Sequence, residues 1–195
     1  MKIQEVKFLK SITENEEDIF PLIDKNKKYQ ILFLGRSNVG KSSVISSLLG
    51  KKDLAHSSAK AGKTKTINIF EVNKDFQCLD FPGYGFARGN KENKDKLRDI
   101  ILNYLQSNVS KNLKAVIILD AFVGPTVLDK EVFDYIDEKG TQILLILNKV
   151  DKVKRQELEK TILKVKEYFG NTKYIFYSCK TNNYREDSLK LVFER

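Results

Sequence analysis

The chain of 195 residues has no tryptophan, one methionine, one histidine, two cysteines and three prolines. Each scarcity closes a class of function. Cys78, Cys179 and His56 stand far apart and offer no metal-ligand spacing, so a zinc site and a disulfide framework are excluded. Both cysteines lie in strand-like apolar stretches and read as small core residues, and His56 takes no role. Long apolar runs are also missing: Ala115 to Leu119 and Ile143 to Leu147 hold five residues each, against the roughly twenty that span a bilayer. No membrane association is expected. The first residues alternate Lys, Glu and apolar side chains without an apolar signal core, and the acidic run Glu14, Glu16, Glu17 and Asp18 opposes a transit peptide. The cytoplasm is the expected compartment. Internal repeats and low-complexity segments are absent.

What is present is a chain with 41% hydrophobic residues, long enough for one sizeable core and short for two. Residues 29–195 read as a single globular domain, with 1–28 as an N-terminal strand or extended arm packing on it. The net charge of +9 is concentrated, with Lys51 to Lys65 at net +4, Arg88 to Arg98 at +3 and Lys149 to Lys166 at +4. Such patches suit a polyanion such as RNA, or are solvated helix faces and phosphate-facing loops.

The chain is organised around Gly35-Arg36-Ser37-Asn38-Val39-Gly40-Lys41-Ser42, which fits G-x-x-x-x-G-K-[ST] directly after the apolar run Ile31 to Leu34. Gly35 and Gly40 allow a turn tight enough for successive N–H groups to face phosphate oxygens, and the following helix adds the partial positive charge of its N-terminus. Lys41 reaches the β- and γ-phosphates, and the Ser42 hydroxyl ligates Mg²⁺. The pattern predicts a strand before this loop and a helix after it, to about Leu49, with Gly50 as its C-cap.

Strands at Thr66 to Val72 and Phe76 to Phe81 are joined by so short a turn that they form an antiparallel hairpin. An amphipathic helix follows through Leu97, Ile100, Ile101, Tyr104 and Leu105. Then strands at Lys114 to Asp120, Thr141 to Asn148 and Lys173 to Tyr177 alternate with helices at Leu128 to Glu138, from Leu158 to Phe169, and to Phe193. The class is α/β in three layers: a mostly parallel six-stranded sheet with one antiparallel edge strand and helices on both faces.

Two more motifs end strands. Asp80-Phe81-Pro82-Gly83 offers a carboxylate that holds Mg²⁺ through a water and a Gly83 N–H that touches the γ-phosphate. Asn148-Lys149-Val150-Asp151 offers a carboxylate that accepts from guanine N1–H and the 2-amino group. Adenine has neither donor and leaves that carboxylate unpaired, so GTP is favoured over ATP. Asn148 reads the O6/N7 side, Lys149 lays its stem on the base, and Ser178 and Cys179, after Tyr177, contact O6 through the backbone. In the mobile connection Gly62-Lys63-Thr64-Lys65-Thr66, either threonine can complete the Mg²⁺ shell.

These motifs, with Ser43 after the phosphate loop and Tyr84-Gly85 after Gly83, resemble the EngB family of bacterial translation-factor-like GTPases from about Gln30 onward. The resemblance implies a P-loop GTPase fold, places the Mg²⁺-binding threonine at Thr64, and raises the large ribosomal subunit and its rRNA as partners of a monomer. This chain departs from the pattern at Ala61 (usually proline), Phe122 (usually arginine) and Ser178-Cys179 (usually paired serines).

Where Ras-like enzymes carry a water-orienting glutamine, this chain has Tyr84, so intrinsic hydrolysis is expected to be slow. GTPases with an asparagine at the Asn38 position hold K⁺ there, which adds positive charge near the phosphates. Lys41, Thr64, Gly83 and Asn38 are therefore the expected catalytic set, in a switch whose basic loops order around GTP and Mg²⁺. A P-loop ATPase, and a basic RNA-binding scaffold that binds nucleotide without turnover, are the competing readings.

Overall fold

The computed structural model describes residues 2–13, 28–51, 66–84, 101, 104 and 112–195. At its centre is β2 (Tyr29–Gly35), all seven residues of which are buried. A strand with no polar face has to be covered on both sides, which is the situation of parallel sheets flanked by helices. β2 runs parallel to β4 (Phe76–Asp80) on one side and to β5 (Leu113–Asp120) on the other. β6 (Gln142–Asn148) and β7 (Tyr174–Phe176) extend the sheet in the same sense. Beyond β4 the direction reverses: β3 (Thr66–Val72) is antiparallel to β4, and β1 (Val6–Thr13) is antiparallel to β3. The order across the sheet is β1-β3-β4-β2-β5-β6-β7.

The α/β class and the mostly parallel sheet follow the reading of the sequence, with seven strands in place of six. β1 is the addition. A bulge between Phe8 and Lys10 breaks its apolar alternation, so no period of two shows in the residues. The β3–β4 hairpin turns through Asn73 and Lys74, both at positive φ, and the Asn73 side chain accepts from the Gln4 and Glu5 amides, which ties β1 to the turn.

Successive residues of β2 enter opposite cores. Leu32 and Leu34 pack with Phe133 and Ile136 of α2 (Val127–Asp137) and with Val165 and Phe169 of α3 (Arg155–Phe169). Ile31 and Phe33 pack with Ile45 and Leu48 of α1 (Lys41–Leu49) and with Leu189 and Val192 of α4 (Arg185–Phe193). Three layers result. Gly50 caps α1 at φ 67°, as expected, and the Arg185 guanidinium donates to the carbonyls of Ser47 and Leu48 at 2.8 Å each. Cys78 is in the core, where burial pushes its thiol far up. Cys179 is not; it is half-buried at the sheet edge described below.

Among the described residues no helix is long and apolar enough to cross a membrane. Of the expected helix through Leu97 and Leu105, Ile101 and Tyr104 are described, both helical and buried. His56, the basic stretch Arg88 to Arg98 and the Lys51 to Lys65 connection after its first residue lie outside the described residues.

Candidate nucleotide site

Among the described residues, every motif read from the sequence is found at the C-terminal edge of the parallel strands; Gly62 to Lys65 and Gly85 lie outside them. β2 ends at Gly35, where a Cβ would stand 2.7 Å from the Ile118 carbonyl oxygen, so no larger residue fits without moving the backbone. The chain then turns through Asn38 at φ 68° and Gly40 at φ 89° into α1. Val39 is buried and anchors the loop from inside, while Asn38 and Ser43 are exposed and Ser42 is half-buried. The first turn of α1 contains no acid and no side-chain cap, whereas α3 begins with Glu157 bonded back to the Lys154 amide at 2.9 Å. Its leading amides are left to an external anion.

Lys41, the first residue of α1, has its ammonium against the Asp80 carboxylate at the end of β4. Both are largely buried, so each neutralises a charge that would otherwise be costly there. After Asp80, Phe81 is buried edge-on against the Tyr104 ring, with centroids 5.6 Å apart. Pro82 and Gly83 are half-buried. Gly83 rests on the phosphate loop, where a Cβ would be 3.0 Å from Ser37 N, and its carbonyl accepts from Ser37 Oγ at 3.3 Å.

Tyr84 turns inward. Its backbone bridges the loop, accepting from the Ser37 amide at 2.9 Å and donating to the Gly35 carbonyl at 3.2 Å. Its ring is buried, and burial, reinforced by the neighbouring Asp129 carboxylate, raises its pKa well above the ordinary phenol value. The hydroxyl stays protonated and points away from solvent.

Asn148 ends β6, buried, and donates from Nδ2 to the Val39 carbonyl at 2.9 Å. Lys149 takes φ 67° and reaches across the loop, donating from Nζ to the Asn38 carbonyl and to Asp120 Oδ2, each at 2.6 Å. Val150 donates to the Tyr177 carbonyl at 3.3 Å. The exposed Asp151 accepts from Ser178 Oγ at 2.6 Å, and the Cys179 thiol approaches Asn148 Oδ1 at 3.5 Å. Burial raises the Cys179 pKa to about 11. Tyr177 is buried, with its hydroxyl 2.7 Å from Ser47 Oγ on α1.

Gly62, Lys63, Thr64 and Lys65 lie outside the described residues. Thr66 opens β3 opposite Thr13. Two residues absent from the expected set belong to this edge. Asp120, level with Asn148 across the β5–β6 ladder, accepts from the Phe122 and Val123 amides and from Lys149, so it holds the turn and the lysine together. Its signal was available: an acid closing an eight-residue buried strand. Asp129, buried in α2, gave none, because a carboxylate in a helix's first turn reads as a cap.

The family of 50S ribosome-binding GTPases matches residues 30–149. A probable GTP-binding protein EngB of Finegoldia magna is 42% identical over 139 residues, which cover 71% of this chain and 68% of the relative. The chain belongs to the EngB family of P-loop GTPases. A probable EngB of Clostridium perfringens aligns along the whole chain, 34% identical, with 97% of its own length covered. A crystal structure of a probable GTP-binding protein EngB superposes with a TM-score of 0.68 at 28% identity, covering 85% of this chain and 97% of the other. The EngB phosphate loop and Asn-Lys-x-Asp segment are therefore joined here, through Asn148 and Lys149, by direct hydrogen bonds.

Proposed function

We propose that this EngB-family GTPase is a GTP-hydrolysing switch that acts, as a cytoplasmic monomer, in assembly of the large ribosomal subunit. The observation that carries the guanine reading is the pair of bonds from Asn148 to Val39 and from Lys149 to Asn38, which make base-reading and phosphate-holding segments one unit. Asp151 is left exposed beside it, fixed by Ser178, as an acceptor for N1–H and the 2-amino group. Adenine leaves that acceptor facing a lone pair, which disfavours the ATPase reading.

The residues present fit a magnesium triphosphate. Uncapped amides of α1 and the Lys41 ammonium suit the phosphates, and Ser42 and Asp80 supply the oxygens that Mg²⁺ prefers. Mg²⁺ when bound neutralises charge on the β- and γ-phosphate oxygens. Lys41 exchanges Asp80 for phosphate, which releases the carboxylate. Thr64 is the proposed second protein ligand, and Gly83 the amide at the γ-phosphate. Tyr84, with its hydroxyl buried on Asp129, cannot orient water, so intrinsic hydrolysis is slow and K⁺ at Asn38 is the proposed assistance.

The ribosomal role draws on the family's description as 50S ribosome-binding GTPases and on exposed cations of the described basic stretch: Lys152, Lys154, Arg155, Lys160, Lys164 and Lys166. Sedimentation with large ribosomal subunits tests it. Co-sedimentation that differs between GDP and a non-hydrolysable GTP analogue is expected; equal or no binding in both states overturns it. Single-turnover hydrolysis separates the switch from a scaffold that binds nucleotide without turnover.

A further inference from the structure

Asp129 lies in none of the nucleotide motifs, yet three segments of the chain meet on it. It is fully buried, and its carboxylate accepts three hydrogen bonds and pairs in charge with one guanidinium, whose buried Nε makes no hydrogen bond among the described residues. Oδ1 accepts the Tyr84 hydroxyl at 2.9 Å. Oδ2 accepts the Thr126 amide at 2.9 Å and hydroxyl at 2.7 Å, and lies 3.1 Å from Arg36 Nε. Arg36 is the second residue of the phosphate loop, and Tyr84 follows Gly83. Their backbones already pair through Gly35, Ser37 and Tyr84, and that pairing seats Gly83 on Ser37.

A helix cap accounts for the Thr126 contacts, since an acid in the first turn commonly returns to the preceding amide. It does not account for the other two. In α3 the equivalent acid, Glu157, is solvent-exposed, whereas Asp129 is withdrawn from water and spends its remaining acceptor capacity on two loops distant in sequence. The buried carboxylate fixes the phenol by a hydrogen bond and draws the guanidinium to it by charge alone, at low local dielectric.

We propose that Asp129 is a positioning residue for GTP hydrolysis: by clasping Arg36 and Tyr84 together it fixes Gly83 at the height above the phosphate loop that the γ-phosphate requires. The inference rests on the GTPase reading of the site. Gly40, Lys41 and Ser42 serve the β-phosphate that GDP and GTP share without passing through Asp129, so loss of the clasp separates GTP from GDP.

The test compares Asp129→Ala, Asp129→Asn and Tyr84→Phe for single-turnover hydrolysis and for affinity toward GDP and a non-hydrolysable GTP analogue. In Asp129→Ala, hydrolysis and analogue affinity fall about tenfold while GDP affinity stays within about threefold. Tyr84→Phe shows the same split more weakly, and adding it to Asp129→Ala changes nothing further, because the hydroxyl has already lost its partner. Hydrolysis within about twofold of the parent, or equal weakening of both nucleotides with a lower Tm, overturns the proposal and leaves Asp129 as a cap. If Asp129→Ala does not fold, the same criteria apply to Tyr84→Phe and Asp129→Asn. A parent protein that neither prefers guanine nucleotides nor hydrolyses GTP defeats the GTPase reading itself; a competent parent with unaffected variants defeats only the role of Asp129.

Discussion

The Lys41 ammonium of the phosphate loop is held by the Asp80 carboxylate at the end of β4. On the proposed function, nucleotide binding would break this ion pair and make several charge-assisted contacts. Lys41→Ala removes those contacts and strands Asp80. GDP affinity is expected to fall about a hundredfold, taking two phosphate contacts at about 1.5 kcal/mol each, as read by isothermal titration calorimetry.

On the proposed function, Asp151 would offer two acceptors to a base with two donors. Asp151→Asn reverses one of them, so affinity for GDP falls about a hundredfold while that for xanthosine diphosphate, with a carbonyl in place of the 2-amino group, rises. Competition between the two nucleotides reads the exchange; unchanged preference removes Asp151 from the base site.

Asn148→Ala leaves the buried Val39 carbonyl without its donor. An orphaned buried acceptor costs about 1–3 kcal/mol. A chain of this size loses about 2–4 °C of Tm per kcal/mol. Nucleotide-free protein is therefore expected to melt about 5 °C lower, by differential scanning calorimetry.

Cys179 gives a pH test. Burial raises its thiol from the ordinary value of 9.0 to about 11, so the unfolded chain releases this proton before the folded chain does. The stability linked to it is complete below pH 9 and is lost as the pH rises toward 11. Urea midpoints across that window fall less steeply in Cys179→Ser, and alkylation of the native thiol rises only as the pH approaches the upper value.

K⁺ gives the last. GTP hydrolysis is expected to be faster in K⁺ than in Na⁺ at equal ionic strength, and Asn38→Ala is expected to erase the difference. Equal rates in the two salts for the parent remove K⁺ from the mechanism.

Much of this was legible in the residues. Gly35, Gly40, Asp80 and Asn148 are set by local geometry and strand ends, and such signals survive in one dimension. The unbroken apolar runs of β2, β5 and β6 announced a sheet covered on both faces. What escaped was long-range. Val6–Thr13, expected as a strand or an extended arm, is a strand; what stayed hidden was its place in the sheet, because its partner, β3, lies far along the chain. Asp129 looks like any acid opening a helix, because Arg36 and Tyr84 reach it only after the sheet has formed. Cys179 reads in the sequence both as a core residue and as a neighbour of the Asn148 side, and the structure has it half-buried beside Asn148.

Arg185 closes the far end of α1, the helix whose near end follows the phosphate loop. Nine residues at 1.5 Å each separate the two by about 13 Å, and the helix carries opposite partial charges at its ends. A guanidinium sits on the negative pole, and the proposed phosphates would sit on the positive one. Withdrawing Arg185 would leave the Ser47 and Leu48 carbonyls to water and fray the last turn of the helix that starts at Lys41.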